Sequence, residues 1–156
     1  MDNSETKVTF KEGSDKEVRV TLECGKVKVE LSNFGATIVK LMLPDKHGNL
    51  DDCVLGFDTW QEYDRSRDEN PCFGSTIGRV ANRTANARFT IDGVETVLDV
   101  NCGDKHHLHG GNIGWHRAWW TSEAVTDGVA FSLTSADGDD KYPGEVQVKT
   151  TFTLKN

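Results

Sequence analysis

Val18-Arg19-Val20-Thr21-Leu22 and Val27-Lys28-Val29-Glu30-Leu31 alternate apolar and polar side chains on either side of Cys24-Gly25-Lys26. A period of two puts the apolar set on one face of a strand and the polar set on the other. With a glycine-centred turn between them, the two segments predict an antiparallel hairpin that lies with one face against a core. The same grammar extends outward. Residues 1–17 are polar and read as a loosely held arm or a first edge strand. Residues 32–36 form a bend, residues 37–43 a more continuous apolar strand stopped by Pro44, and residues 45–49 a turn cluster. Residues 53–57 read as another short strand, and Asp58 or Thr59 as the cap of the chain's one helical segment, residues 60–67. Asp92-Gly93, flanked by the alternating residues 88–91 and 94–98, is a two-residue hairpin signal. Residues 101–114 read as a glycine- and histidine-rich loop without strands, and residues 118–122, 129–134 and 145–154 as the last strands. Many short strands between turn signals predict an all-β fold, an antiparallel β-sandwich or barrel, built as a single domain over residues 1–156.

Composition narrows the function classes. Of 156 residues, 36% are hydrophobic and 28% charged, which fits a folded globular domain. A net charge of -7 opposes an electrostatic nucleic-acid binder. No apolar run reaches the length of a membrane span, and the polar first residues lack the apolar core of a signal peptide. Cys24, Cys53, Cys72 and Cys102 are widely spaced, without a Cys-x-x-Cys pair, so neither a zinc site nor a disulfide framework is expected. A cytoplasmic setting with reduced thiols follows.

One stretch does not read as a core strand. Residues 78–89, Gly-Arg-Val-Ala-Asn-Arg-Thr-Ala-Asn-Ala-Arg-Phe, set Arg79, Arg83 and Arg88 among two amides and four small residues. On its own this is a solvated surface loop. Read as a site, fixed guanidinium donors beside amides that both donate and accept suit a ligand with several hydroxyls. Leu108-His109-Gly110-Gly111 follows, ahead of Trp115, Trp119 and Trp120.

These two stretches, with Asn33-Phe34-Gly35-Ala36-Thr37, Val54-Leu55-Gly56-Phe57-Asp58, and Asp137-Gly138 followed by Tyr142-Pro143-Gly144, resemble the aldose 1-epimerase (galactose mutarotase) family in order and spacing. The resemblance runs from about Val27 to the end of the chain, and the family's chains are longer. It implies the N-terminal portion of the family's large galactose mutarotase-like β-sandwich. It also implies interconversion of the α and β anomers of free hexoses such as galactose and glucose. In that reaction a base takes the anomeric hydroxyl proton, an acid protonates the ring oxygen, and the opened ring recloses on its other face, with no cofactor. By the same resemblance, Asn82 and Arg83 match residues that hydrogen-bond the sugar's hydroxyls, and His109 matches a histidine near the reacting end. The family's general acid, in an Asn-His-x-aromatic-aromatic-Asn motif, and its general-base glutamate are expected beyond Asn156. No catalytic residue is therefore assigned within the chain, which is expected to be inactive alone.

Cys72, the Ile113-Gly114-Trp115-His116 run and Lys141 depart from the family's wording, the second at the rim of the expected sugar site. His106 and His107 read as exposed loop histidines. Two alternatives are a non-catalytic carbohydrate-binding protein and a relative of the hexose-6-phosphate epimerases, in which Arg79 and Arg88 would grip a phosphate. A metal-binding reading of His107-x-His109 lacks the glutamate such a motif needs a few residues later, so no metal is expected. Part of a continuous sandwich would leave a sheet face or edge uncovered, so self-association is expected, with a small-molecule sugar as ligand.

Overall fold

The structure is a computed structural model that describes residues 5–65 and 71–155. Alternation in the first hairpin becomes β2 (Val18–Cys24) and β3 (Val27–Ser32), paired antiparallel from Arg19↔Ser32 to Cys24↔Val27. β1 (Lys7–Glu12) pairs with β2 as the edge strand, so within the polar N-terminal segment these residues are strand rather than free arm. β4 (Thr37–Pro44) and β5 (Leu50–Asp52) complete a five-stranded antiparallel sheet in sequential order. A second sheet contains β10 (Thr121–Val125), β11 (Gly128–Ser135) and β12 (Val146–Thr153), again antiparallel and in order. Two small ladders lie between them in sequence. β6 (Arg83–Thr84) pairs with β9 (His107–Leu108), and β7 (Arg88–Ile91) pairs with β8 (Val94–Val97).

The two larger sheets share one core. Val20, Leu22 and Leu31 from the first meet Val129 and Phe131 from the second, with Ala36 and Trp120 from the connections, all essentially inaccessible to solvent. This is the packing of a β-sandwich: inward-facing residues of both sheets interdigitate while the alternate positions face out. Phe131 and Phe152 meet edge to face at 6.0 Å. The Thr6 hydroxyl donates to the Leu154 carbonyl at 2.5 Å, tying the start of the first sheet to the end of β12. Asn33 ties its bend to two other segments with one amide. Its Oδ1 accepts from Val18 N–H, and its Nδ2 donates to the carbonyls of Lys16 and Trp120.

Four sequence expectations are corrected. Residues 53–57 are not a strand. The Asp52 carboxylate accepts the N–H groups of Leu41 and Val54, which turns the chain after β5, and Phe57 N–H donates to the Tyr63 hydroxyl instead of to a neighbouring strand. The helical segment is described as a single turn, α1 (Trp60–Tyr63), with the N–H and hydroxyl of Thr59 both donating to the Glu62 carboxylate; residues 66–67 of the expected helix lie outside the described residues. The loop over residues 101–114 contains β9. Residues 118–120 precede β10 because they bridge to the residue 33–36 bend: Gly35 N–H donates to Ala118 O, and Trp120 N–H to Asn33 O. The Asp92-Gly93 turn forms as the sequence predicts, with φ of +50° and +78° at its two residues, as a type I′ turn requires.

The chain's two tyrosines, Tyr63 and Tyr142, are both buried, and burial raises both phenols above their ordinary value of 10.0. A phenol that ionises less readily when folded contributes stability in full below pH 10 and loses it as pH rises through the folded value. Stability is therefore expected to fall steadily above pH 10. Phenolate absorbance near 295 nm (roughly, for any phenolate) should appear together with loss of the β-sheet circular dichroism signal. Full ionisation of both tyrosines with the fold intact would contradict the burial argument.

Candidate functional site

Residues 78–89 and 101–114 form one surface because β6 pairs with β9, Arg83 opposite Leu108 and Thr84 opposite His107. One step beyond that ladder stand Asn82 and His109, joined reciprocally. His109 N–H donates to the Asn82 carbonyl at 3.0 Å, and Asn82 N–H donates to His109 Nδ1 at 3.0 Å. Since Nδ1 accepts, the neutral ring carries its proton on Nε2, which makes Nε2 a donor. Asn82 holds φ +59°, a left-handed conformation that asparagine tolerates better than most residues. Arg83 is exposed, and its Nη1 donates to Asn82 Oδ1 at 3.2 Å. Asn82, Arg83 and His109 are thus brought together as the sequence expected. The arrangement repeats four residues later, where Asn86, at φ +56°, donates its N–H to His106 Nδ1 at 3.2 Å.

What seats this group was largely hidden in the sequence. Asn101 pairs its side chain with the backbone of Leu108 in both directions, Nδ2 to the carbonyl and Oδ1 from the N–H. His107 is fully buried, a correction to its reading as an exposed loop residue, and His106 is half-buried. The Nδ1 of His107 lies 2.8 Å from the Asp99 carbonyl, which can only accept, so the proton sits on Nδ1 and Nε2 accepts from the Tyr142 hydroxyl at 2.9 Å. Tyr142 in turn stacks on Phe89 at 6.0 Å and packs with Ala87 and Leu98. A partner for each nitrogen of a buried ring is what low-dielectric surroundings demand.

Glycines set the closest approaches. A Cβ on Gly110 would lie 1.7 Å from the Gly78 carbonyl oxygen, and one on Gly78 would lie 1.8 Å from the Trp115 ring. The three segments interlock at distances only glycine permits.

Arg79 does not face a ligand. Its Nε donates to Ser135 Oγ, its Nη1 to the carbonyls of Pro143 and Gly144, and its Nη2 to those of Ser135 and Ala136. It holds the turn after β11 in place, and Arg88 is engaged by Asn86 O and Glu95. Arg79 is thus taken up within the chain, whereas Arg88 stays more than half exposed, with both of its contacts at 3.5 Å. Among the described residues no group of three or more His, Cys, Asp or Glu side chains is placed to hold a metal ion. Nor is any helix there long and apolar enough to cross a membrane.

Comparison with known proteins assigns the class. The family model described as aldose 1-epimerase matches residues 18–156, and the chain belongs to that family. It is 41% identical over 133 residues to a galactose mutarotase of Sus scrofa, covering 85% of this chain and 38% of that protein. The galactose mutarotase of Homo sapiens is 40% identical over the same length and coverage. In three dimensions the chain resembles an aldose epimerase homologue from C. elegans, with a TM-score of 0.74 and 32% identity, over 96% of this chain and 42% of that one. It also resembles a galactose 1-epimerase from Lactobacillus acidophilus, with a TM-score of 0.77 and 26% identity, over 98% and 45%. The chain spans well under half the length of the relatives it matches.

Proposed function

We propose that this chain supplies part of the sugar cradle of an aldose 1-epimerase acting on free hexoses such as galactose and glucose. Asn82, Arg83 and His109 contact the sugar. The observation that carries this is the reciprocal hydrogen bonding of Asn82 and His109 with Arg83 alongside. An amide, a guanidinium and an imidazole are gathered at one place, polar groups of the kinds that meet the hydroxyls of a hexose. Family membership makes a hexose the first candidate among polyhydroxylated ligands. Arg83 gives planar, fixed donors, and His109 gives one directional donor beside the ring. The acid–base pair lies outside this chain in the proposal. A cytoplasmic setting belongs to the same reading; Cys24, Cys53, Cys72 and Cys102 are not disulfide-bonded.

The chain alone is expected to show no mutarotation above buffer. Each missing proton-transfer role removes roughly 10²–10⁴ in rate. The half cradle retains weak binding, in the millimolar range typical of a few exposed hydrogen bonds (about 4 kcal/mol). The test is polarimetry on fresh α-D-galactose together with an NMR titration of the same sugar, on the unsubstituted chain and on Arg83→Ala and His109→Ala. Binding that both substitutions abolish supports the site. Shifts that persist in both variants would place the sugar elsewhere, and catalysis by the chain that disappears in His109→Ala would put an acid or base in the histidine loop.

Self-association is part of the same proposal. Ile91, Val94, Val97 and Val100 on and after the β7–β8 hairpin are all more than half exposed. Sedimentation of the same samples should depend on concentration; a single monomeric species at every concentration would remove the claim.

A further inference from the structure

The turn between β11 and β12 reaches back over the loop that follows His109, and one carboxylate makes the connection. Asp140 Oδ1 accepts the N–H groups of Asn112 at 2.8 Å and Ile113 at 3.4 Å, and Oδ2 accepts that of Gly114 at 2.9 Å. Three consecutive amides turned onto one carboxylate form a small anion nest, with the anion supplied from within the chain. The approach is close. A Cβ on Gly111 would lie 2.1 Å from Asp140 Cγ, which explains the second glycine of Leu108-His109-Gly110-Gly111.

Asp140 is itself held rather than free to follow the loop. It sits in the Asp139–Lys141 3-10 turn at φ +45°. Ser135 Oγ donates to the neighbouring Asp139 carboxylate at 2.7 Å, and Arg79 clamps the carbonyls on both sides of the turn. The loop end leads directly to the site. The carbonyl oxygen of His109 lies 3.0 Å from where a Cβ on Gly114 would stand, and Gly110 rests on Gly78.

We propose that Asp140 is the positioning residue for the rim of the sugar site. Its carboxylate sets the course of residues 111–114 and thereby the seat of His109 against Asn82. The rim it fixes presents Asn112 and Ile113 to solvent, Ile113 with 59% of its surface exposed, so this loop offers a hexose one polar and one apolar flank beside His109. The selectivity of the rim rests on the reading of Asn82, Arg83 and His109 as sugar contacts. The positioning of His109 does not.

The experiment uses the ¹⁵N-labelled full chain with Asp140→Ala and Asp140→Asn. Amide hydrogen exchange is followed at Asn112, Gly114 and Asn82, with the core amides of Val20 and Phe131 as internal references and the His109 ring nitrogens as a separate reporter. D-galactose is then titrated into each. In Asp140→Ala, exchange at Asn112 and Gly114 should rise about tenfold or more, as expected for lost charge-assisted bonds. Asn82 should follow, the His109 Nδ1 resonance should move away from its acceptor position, and galactose affinity should fall several-fold. Asp140→Asn keeps one oxygen acceptor, so it should hold Asn112 and lose Gly114. Loss of protection at 112–114 with Asn82 and His109 unchanged would overturn the proposal. So would equal acceleration at Val20 and Phe131 in both variants, which marks a purely structural role. Absence of galactose binding by the unsubstituted chain would defeat the sugar reading, while the Asn82 and His109 signals still decide the role of Asp140.

Discussion

Gly110→Ala is expected to lower stability by about 2–5 kcal/mol and to disperse the site. Two costs combine. Gly110 holds φ +80°, where a side chain adds about 1–2 kcal/mol of strain. The new methyl would also stand 1.7 Å from Gly78 O, 2.2 Å from Gly78 C and 2.5 Å from Arg79 N, all backbone atoms that cannot swing aside. Forced overpacking of this kind costs about 1–3 kcal/mol more. Gly93→Ala is the matched control. Its φ is +78° but nothing lies within 4 Å of the added carbon, so only the backbone strain remains, about 1–2 kcal/mol. Urea denaturation of both variants separates packing from conformation. Equal losses in the two would show that the interlock with Gly78 is not tight.

The second large effect is expected from Arg79→Lys, a loss of about 2–3 kcal/mol despite the retained charge. The guanidinium reaches Ser135 Oγ at 2.9 Å and the carbonyls of Ser135, Pro143 and Gly144 at 3.1, 3.1 and 2.7 Å, with that of Ala136 beside them. A flat fork can meet acceptors spread over two chain segments; an ammonium presents its donors from one point and leaves most of them unmet. Water replaces some of these bonds because the carbonyls of Pro143 and Gly144 are exposed, which keeps the expected loss below the sum of five charge-assisted bonds. Urea denaturation again measures it, and a change under about 0.5 kcal/mol would show that solvent satisfies the turn as well as Arg79 does.

The sandwich was legible because its signals are local. Alternation in β2 and β3, and the Asp92-Gly93 turn, depend only on neighbours in sequence, and both formed where expected. The misreadings arise where a side chain captures backbone amides or where the fold joins distant segments. Residues 53–57 have the composition of a strand, but the Asp52 carboxylate and Tyr63 hydroxyl take the amides a ladder would need. His107 looks like its neighbours His106 and His109 in a polar loop. Only the fold brings Asp99 O and Tyr142 to its two nitrogens and buries it. Arg79 and Arg83 look equivalent in the central stretch, yet one holds a turn fifty-six residues away and the other is exposed beside Asn82. The grouping of Asn82, Arg83 and His109 was anticipated by resemblance to a family. Residue spacing alone gave no measure of the β6–β9 register that joins them.

Asn82 divides its labour between two kinds of atoms. Its backbone N–H and C=O hold His109, while its side-chain Oδ1 accepts from Arg83 and, in the proposed site, the same amide meets the ligand. Glycine would adopt the same left-handed backbone without penalty and keep both bonds to His109. In the proposed site, recognition at this position can therefore be lost with the pairing to His109 intact, at the expense of the Arg83 contact. A lineage with glycine here could keep the backbone trace of the site while losing the proposed sugar contact, and the released Arg83 side chain would be the change that records it.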